Sequence, residues 1–472
     1  MFYILKEIQH KSGEEIILFK TKLKRKILPM AVLSSVAFGA LFSTATNDVK
    51  AKETVHNNAE IKNVIFLIGD GMGVSYTSAY RYLKDNPSTK EVEQTEFDKY
   101  LVGQQKTYPE DPHQNVTDSA AAATAMSAGI KTYNAAIGVD NDGSSVKTVL
   151  EAAKEKGKST GLVATSEITH ATPASYGAHD ASRKNMNAIA DDYYDEMING
   201  GHKVDVMLGG GVTNFVRPDR DLTKEFQQDG YTYVTNKDEM LKSKNPKMLG
   251  LFAPGGMPKM LDREASMPSL EDMTETALTK LSKNKKGFFL MVEGSQIDWA
   301  GHDNDIVAAM SEMEDFEKAF KAAIDFAKKD KHTLVIATAD HSTGGYSIGA
   351  RGDYNWFGAP ITAAKRTPDF MAEQIAKGAD VETTLKKYID LPLTSQEIDS
   401  VKKAAASKNV TTIDNAIETI FDMRSVTGWT TGGHTGEDVN VYAYGPGSSL
   451  FAGSIENTDQ AKHIFDILKN GK

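Results

Sequence analysis

Five short segments concentrate the side chains able to bind a metal ion or attack a substrate. In the first, an apolar run ends in Gly69-Asp70-Gly71-Met72-Gly73, which sets an aspartate at the carboxyl end of a predicted strand, where α/β sheets hold ligands. The glycines do not space as G-x-G-x-x-G, so a dinucleotide site is excluded. What stays open is a plain strand-to-helix turn or a metal-ligating carboxylate. In the second, Thr117-Asp118-Ser119-Ala120, Asp118 or Thr117 can cap a helix, and the free N–H groups of that helix start also favour a phosphate. Ser119 is then a nucleophile activated by a metal, in place of the usual histidine base. The third runs from Glu293 to His302 behind another apolar run. Asp298 and His302 are four apart, so one helical turn sets both on one face to clamp an ion. The fourth is Asp340-His341, just past a Val/Ile run, and the fifth is Thr431-Gly432-Gly433-His434. Each histidine alone is more often structural. Three of the eleven, all near Asp in glycine-rich loops, form a joint pattern. Imidazole mixed with carboxylates suits zinc, and further carboxylate or hydroxyl ligands suit magnesium.

The elements that must position these residues are legible as apolar runs at 64–68, 161–165, 204–208, 288–292, 334–338 and 439–444. Near-continuous Val/Ile runs separated by helical patterns predict a parallel or mostly parallel sheet covered on both faces, an α/β layered fold. Over 303–328, Ile306, Met310, Met313, Phe316, Phe320, Ile324 and Ala327 repeat at three and four residues, an amphipathic helix. Residues 120–128 form a small-residue helix suited to close packing under a site. The segment from about 345 to 431 breaks the pattern with polar loops and helices at 395–406 and 411–423, and reads as a cap or crown inserted between two core strands. The sequon at Asn115 and the tripeptide Arg351-Gly352-Asp353 are read as chance matches.

Composition bounds the rest. The chain has 472 residues, a formal charge of −10 and no cysteine. That excludes disulfides, thiolate zinc sites, iron–sulfur clusters and a cysteine nucleophile. The acidic balance argues against nucleic acid as a specific partner. Lys22, Lys24, Arg25 and Lys26 precede an apolar run at 27–42, followed by small residues with candidate cleavage sites at 43–45 and 49–51. This is a secretory signal pattern. A run of 16 residues containing a proline is short for a membrane span of about 20, although an uncleaved anchor is the alternative. Residues 1–51 are thus expected to be a leader and 52–472 a single exported domain, secreted or wall-associated, with no stable membrane span. Removing the leader takes the formal charge to −14.

Together, Gly-Asp-Gly-Met-Gly, Asp-Ser-Ala, Ala171-Thr172-Pro173-Ala174 with downstream Ser182-Arg183-Lys184, the Glu293–His302 run, Ala-Asp-His-x-x-Gly-Gly and His434-Thr435-Gly436 resemble alkaline phosphatases in order and type, from about residue 61 to the C-terminus. The resemblance implies hydrolysis of phosphate monoesters at alkaline pH through a phosphoserine at Ser119, with broad specificity and a phosphate-scavenging role. It implies a first zinc on Asp298, His302 and His434 and a second on Asp70, Asp340 and His341. Asp70 would bridge to a third site completed by Thr172 and Glu293 and occupied by magnesium. Arg183 would clamp two phosphate oxygens. A large, mixed, mostly parallel sheet between helices and a homodimer are also implied. Two positions depart from the enteric bacterial pattern: His170 stands for an aspartate and Trp299 for a lysine. They leave the third metal open.

The chemistry agrees with the residue types. Phosphate monoester hydrolysis is among the slowest uncatalysed reactions, and paired metal ions can stabilise both attacking and departing oxygens. A bidentate arginine matches the nonbridging oxygens. Alternatives are a phosphodiesterase of the same superfamily, which would normally use threonine, and a non-catalytic metal- or phosphate-binding surface protein, which would have no reason to keep Ser119 and Arg183. A sulfatase would need a C/S-x-P-x-R setting that Ser119 lacks.

Overall fold

The computed structural model describes residues 60–471; the expected leader at 1–51 and both cleavage sites lie outside the described residues. Ten strands form one sheet: β1 (Asn63–Gly69), β2 (Leu101–Lys106), β3 (Ser159–Glu167), β4 (Val206–Gly210), β5 (Thr232–Val234), β6 (Met248–Leu251), β7 (Phe288–Gly294), β8 (Thr333–Thr338), β9 (Val439–Tyr444) and β10 (Gly453–Glu456). Their spatial order is β10-β2-β9-β8-β1-β7-β3-β4-β6-β5. Every pairing from β8 to β5 is parallel, while β9 runs antiparallel to β8 and β2. The sheet is therefore mixed and mostly parallel, as expected. Each of the six apolar runs is a strand, with 204–208 shifted to Val206–Gly210. The other four carry no Val/Ile run of that length: Met248–Leu251 is buried throughout but interrupted by Gly250. Leu101–Lys106, for instance, is largely exposed or half-buried, so it needs no apolar repeat.

Alternate residues of each strand point to opposite faces. Phe66, Ile68, Leu162, Met291 and Ile336 pack against one helical layer, formed by α1 (Ser119–Ala128), α2 (Ala171–Gly177) and the C-terminal helix Asn457–Asn470. Ile65, Leu67, Val163, Val292 and Val335 pack against the other, formed by α3 (Leu270–Leu281), α4 (Gln296–Asp303) and α5 (Ile306–Asp330).

The helix predicted over 303–328 begins three residues later. Asn304 turns left-handed at φ 60° and closes α4, and the Asp305 side chain accepts from the N–H groups of Val307 and Ala308 to open α5. Two competing local signals, a left-handed asparagine and an aspartate cap, override the apolar stripe there.

The segment near 345–431 lies between β8 and β9. Two short antiparallel ladders pin its ends: Ser342–Thr343 with His434–Thr435, and Ser347–Ile348 with Thr427–Gly428. Within it, α6 (Pro368–Ala376) and α7 (Val381–Tyr388) precede α8 (Ser395–Ala405) and α9 (Val410–Ser425). The last two match the expected helices; α6 and α7 add to them. Met371, Leu385, Val401, Ile417 and Phe421 join the core around α3 and α5.

Candidate active site

Three adjacent parallel strands deliver three carboxylates to one edge of the sheet. Ile68 on β1 is in register with Glu293 on β7 and with Thr338 on β8, and Asp70 and Asp340 each follow two residues later. All three acids are fully buried. Gly71 makes this convergence possible. Its φ is +69°, and a Cβ there would lie 2.8 Å from Asp298 Cα, while its N–H donates to Asp340 Oδ1 at 3.0 Å.

Ser119 is the first residue of α1. Asp118 caps that helix through Ala121 N–H at 3.0 Å and accepts from Arg183 Nη1, also at 3.0 Å. The first N–H groups of a helix have no partner within it, so Ser119 sits where an anion is favoured. Its hydroxyl lies 3.2 Å from His341 Nε2 and 3.5 Å from Asp70 Oδ1.

Three histidines meet beside Asp298. His434 Nε2 is 3.1 Å from His302 Nε2, and the two lie 3.6 and 3.3 Å from Asp298 oxygens. Both rings are aimed through Nδ1, which donates to Gly432 O at 2.7 Å from His302 and to Thr117 O at 2.8 Å from His434. A carbonyl only accepts, so in the neutral form that a metal requires both rings turn the lone pairs of Nε2 toward each other. His341 stacks on His434 at 3.6 Å between centroids, and its Nε2 is 3.2 Å from Asp340 Oδ2.

Thr172, on α2, is buried beside Glu293, which with Asp70 and His170 places ligand atoms within 4.8 Å of one another. His170 Nε2 accepts from Arg183 Nη2 at 3.1 Å, and Trp299 meets its ring edge-on at 5.7 Å. Burial and the Arg183 charge push the His170 imidazole down to about 3, which keeps it neutral.

The donor set fits metal ions. Among the described residues, Asp70 Oδ2, Thr172 Oγ1, Glu293 Oε1 and Asp340 Oδ2 are buried without a hydrogen-bond partner. Burial and neighbouring carboxylates push Asp70 well up, and burial pushes Glu293 to about 7 and Asp340 to about 6. Against burial, the His302 hydrogen bond and the adjacent imidazoles hold Asp298 low; the Asp298 hydrogen bond raises His302 to about 9. Facing lone pairs and crowded buried anions are unfavourable by themselves and are relieved by cations placed among them. Asp298, His302 and His434 form one compact set, and Asp70, Asp298 and His341 another.

Every residue named from the sequence thus lies in one connected cluster. Thr343 was missed: its hydroxyl donates to Asp298 Oδ1 and lies 3.3 Å from His341 Nδ1. Its signal was its position two residues after His341, which in a strand puts both on one face. The carbonyls of Thr117 and Gly432, which aim two histidines, carry no side-chain signal at all.

A family model described as alkaline phosphatase matches residues 61–470. Alkaline phosphatase 3 of Bacillus subtilis (strain 168) is 72% identical over 452 residues, spanning 95% of this chain and 98% of that protein. The crystal structure of a cold-active alkaline phosphatase from a psychrophilic Shewanella sp. is similar at TM-score 0.81 and 41% identity, covering 86% of this chain and 99% of its own. A TAB5 alkaline phosphatase in which aspartate replaces a histidine, with magnesium bound in its M3 site, is similar at TM-score 0.64 and 33% identity, covering 87% and 99%. A match from residue 61 to 470, a span that contains every carboxylate, histidine and serine of this cluster, makes this chain a member of the alkaline phosphatase family.

Proposed function

We propose that this chain hydrolyses phosphate monoesters at alkaline pH in two displacements through a phosphoserine at Ser119. The observation that carries this reading is the Ser119 hydroxyl at a helix start, 3.2 Å from His341 Nε2 and 3.5 Å from Asp70 Oδ1, with orphaned buried carboxylate oxygens around it.

Asp298, His302 and His434 would hold one zinc ion and Asp70, Asp340 and His341 a second, because sets with imidazole suit zinc. Asp70, Thr172 and Glu293 would hold magnesium, an oxygen-only set. When bound, these ions supply Lewis acidity for the attacking and departing oxygens. Ser119 Oγ forms the new bond to phosphorus as the alcohol oxygen leaves from the opposite side; water then attacks the same phosphorus and releases the serine. Arg183 keeps one Nη on Asp118 and the other on His170, and its remaining N–H groups face two nonbridging oxygens. Beyond the phosphate lies a hollow of about 450 Å³ lined by polar side chains including His113, Gln114, Asn115 and Asn134. It offers no shaped apolar wall for the alcohol, which supports broad specificity and phosphate scavenging.

Residues 1–51 act as an export leader and 52–472 as one catalytic domain, secreted or wall-associated, working as a homodimer. Among the described residues no helix is long and apolar enough to cross a membrane.

The test compares p-nitrophenyl phosphate with its diester analogue, before and after chelation, with acid quench and mass spectrometry on the monoester reaction. Expected are monoester preference, loss of turnover on chelation, recovery with zinc plus magnesium, and phosphate on Ser119. Full activity in a preparation shown metal-free by elemental analysis, or phosphate mapped elsewhere, sinks the reading.

A further inference from the structure

Five carboxylates crowd one ammonium where the inserted helices meet the α4–α5 turn. Lys259 Nζ lies 3.0 Å from Asp303 Oδ2 and 3.9 Å from Asp305 Oδ2, and pairs more closely still with Asp369. Asp414 on α9 places an oxygen within 4.8 Å of oxygens of Asp303 and Asp369. Glu418, one helical turn along α9, shares that side of the helix. Asp305, Asp414 and Glu418 are only 1%, 3% and 6% exposed. Lys259 offsets one of five formal negative charges.

The independent sign of a ligand is in the unused oxygens. Asp305 Oδ1 caps α5 through Val307 and Ala308 N–H, but its Oδ2, turned toward Lys259, has no hydrogen-bond partner among the described residues. The same holds for Asp414 Oδ1 and Glu418 Oε1. Buried anionic oxygens left bare are costly, so something neutralises them.

We propose that this pocket binds a divalent cation of calcium size through Asp303, Asp369 and Asp414, with Asp305 and Glu418 behind them. The donors are all oxygens with no imidazole, which disfavours zinc. An irregular, mainly carboxylate set suits calcium's six to eight ligands better than magnesium's octahedron. Side chains of Asp303 and Asp369 are 45% and 37% exposed, which leaves a path from solvent. None of these residues belongs to the three metal sets of the active site. The competing way to neutralise the pocket is protonation: burial and the neighbouring carboxylates push Asp414 to about 9 and Glu418 to about 11.

The bound ion would tie α4, which carries Asp298 and His302, to α6 and α9 of the insertion. Calcium would therefore act on stability first, with little direct effect on chemistry.

The experiment uses the zinc- and magnesium-loaded enzyme in equilibrium dialysis against radioactive calcium, with thermal melts over a calcium titration. One calcium per chain and a melting temperature that climbs with calcium are expected. Asp369→Asn and Asp414→Asn should each weaken calcium binding about tenfold or more and flatten the melting response, at unchanged zinc content. Asp369 is half-exposed, so its variant remains informative if Asp414→Asn fails to fold. No calcium bound at millimolar concentration means that protons neutralise the pocket, and binding undiminished in both variants places the ion elsewhere. Either result overturns the proposal.

Discussion

His170 is the residue on which the third metal site turns. Arginine only donates, so with Nε2 accepting from Arg183 the neutral ring carries its proton on Nδ1, an atom that is buried and unpartnered among the described residues. A protonated nitrogen cannot ligate a metal. The ring can therefore serve Arg183 or enter the third site's coordination, and Trp299 packed against its edge limits how it turns. Magnesium binds imidazole poorly and prefers oxygen. The wild type should accordingly bind magnesium weakly, and His170→Asp should tighten it about tenfold, a shift typical of groups around a bound metal's ligands. Magnesium titrations of both proteins at fixed zinc, read by activity and metal content, check this; superimposable curves would show that His170 does not control the site.

At the scale of elements, the site depends on how closely α4 approaches the turn after β1. The backbone of Gly71 occupies the left-handed region, and a methyl there would meet Thr343 Oγ1 at 2.7 Å and Asp298 Cα at 2.8 Å. The second contact is backbone and cannot rotate away. Gly71→Ala should thus push α4 outward, cost about 1–2 kcal/mol for the φ alone, and lower kcat/KM about 100-fold through sub-ångström displacement of Asp298. Kinetics with elemental analysis would distinguish misplaced ligands from lost ones; unchanged kcat/KM and zinc content would show that the close approach is dispensable.

For the whole molecule, acid stability should depend partly on an ion pair far from the chemistry. Glu151 accepts from His179 Nε2 at 2.9 Å and lies 3.3 Å from Lys203 Nζ. Against burial, the His179 hydrogen bond and the Lys203 charge hold its carboxyl at about 2. A depressed carboxyl binds fewer protons folded than unfolded, so its stabilisation is complete above the unfolded value near 4.5 and is lost between about pH 5 and pH 2. The difference corresponds to about 3 kcal/mol as a ceiling. Urea midpoints of the metal-free protein at pH 7 and pH 3.5 should show Glu151→Gln much less stable than wild type at the first and closer to it at the second. An equal gap at both would remove Glu151 from the acid response.

What the sequence determined by itself is whatever a few neighbouring residues encode. Apolar runs marked six strands because burial on both sheet faces demands it, and they placed Asp70, Glu293 and Asp340 at strand ends. Asp118 marked a helix start because a cap acts within three residues. Motif order then identified the family. The strand β2, second from the sheet edge, left no trace, since a half-exposed strand needs no apolar repeat, and α6 and α7 were hidden in polar sequence. The break at Asn304 was masked by a continuous stripe. Only the tertiary structure decided that His434 pairs across a ladder with Thr343, that backbone carbonyls aim two imidazoles, and that Lys259 meets acids from three separate elements. These contacts join residues about 45 to 320 apart, and which loops meet is set by strand order and close packing rather than by any local pattern.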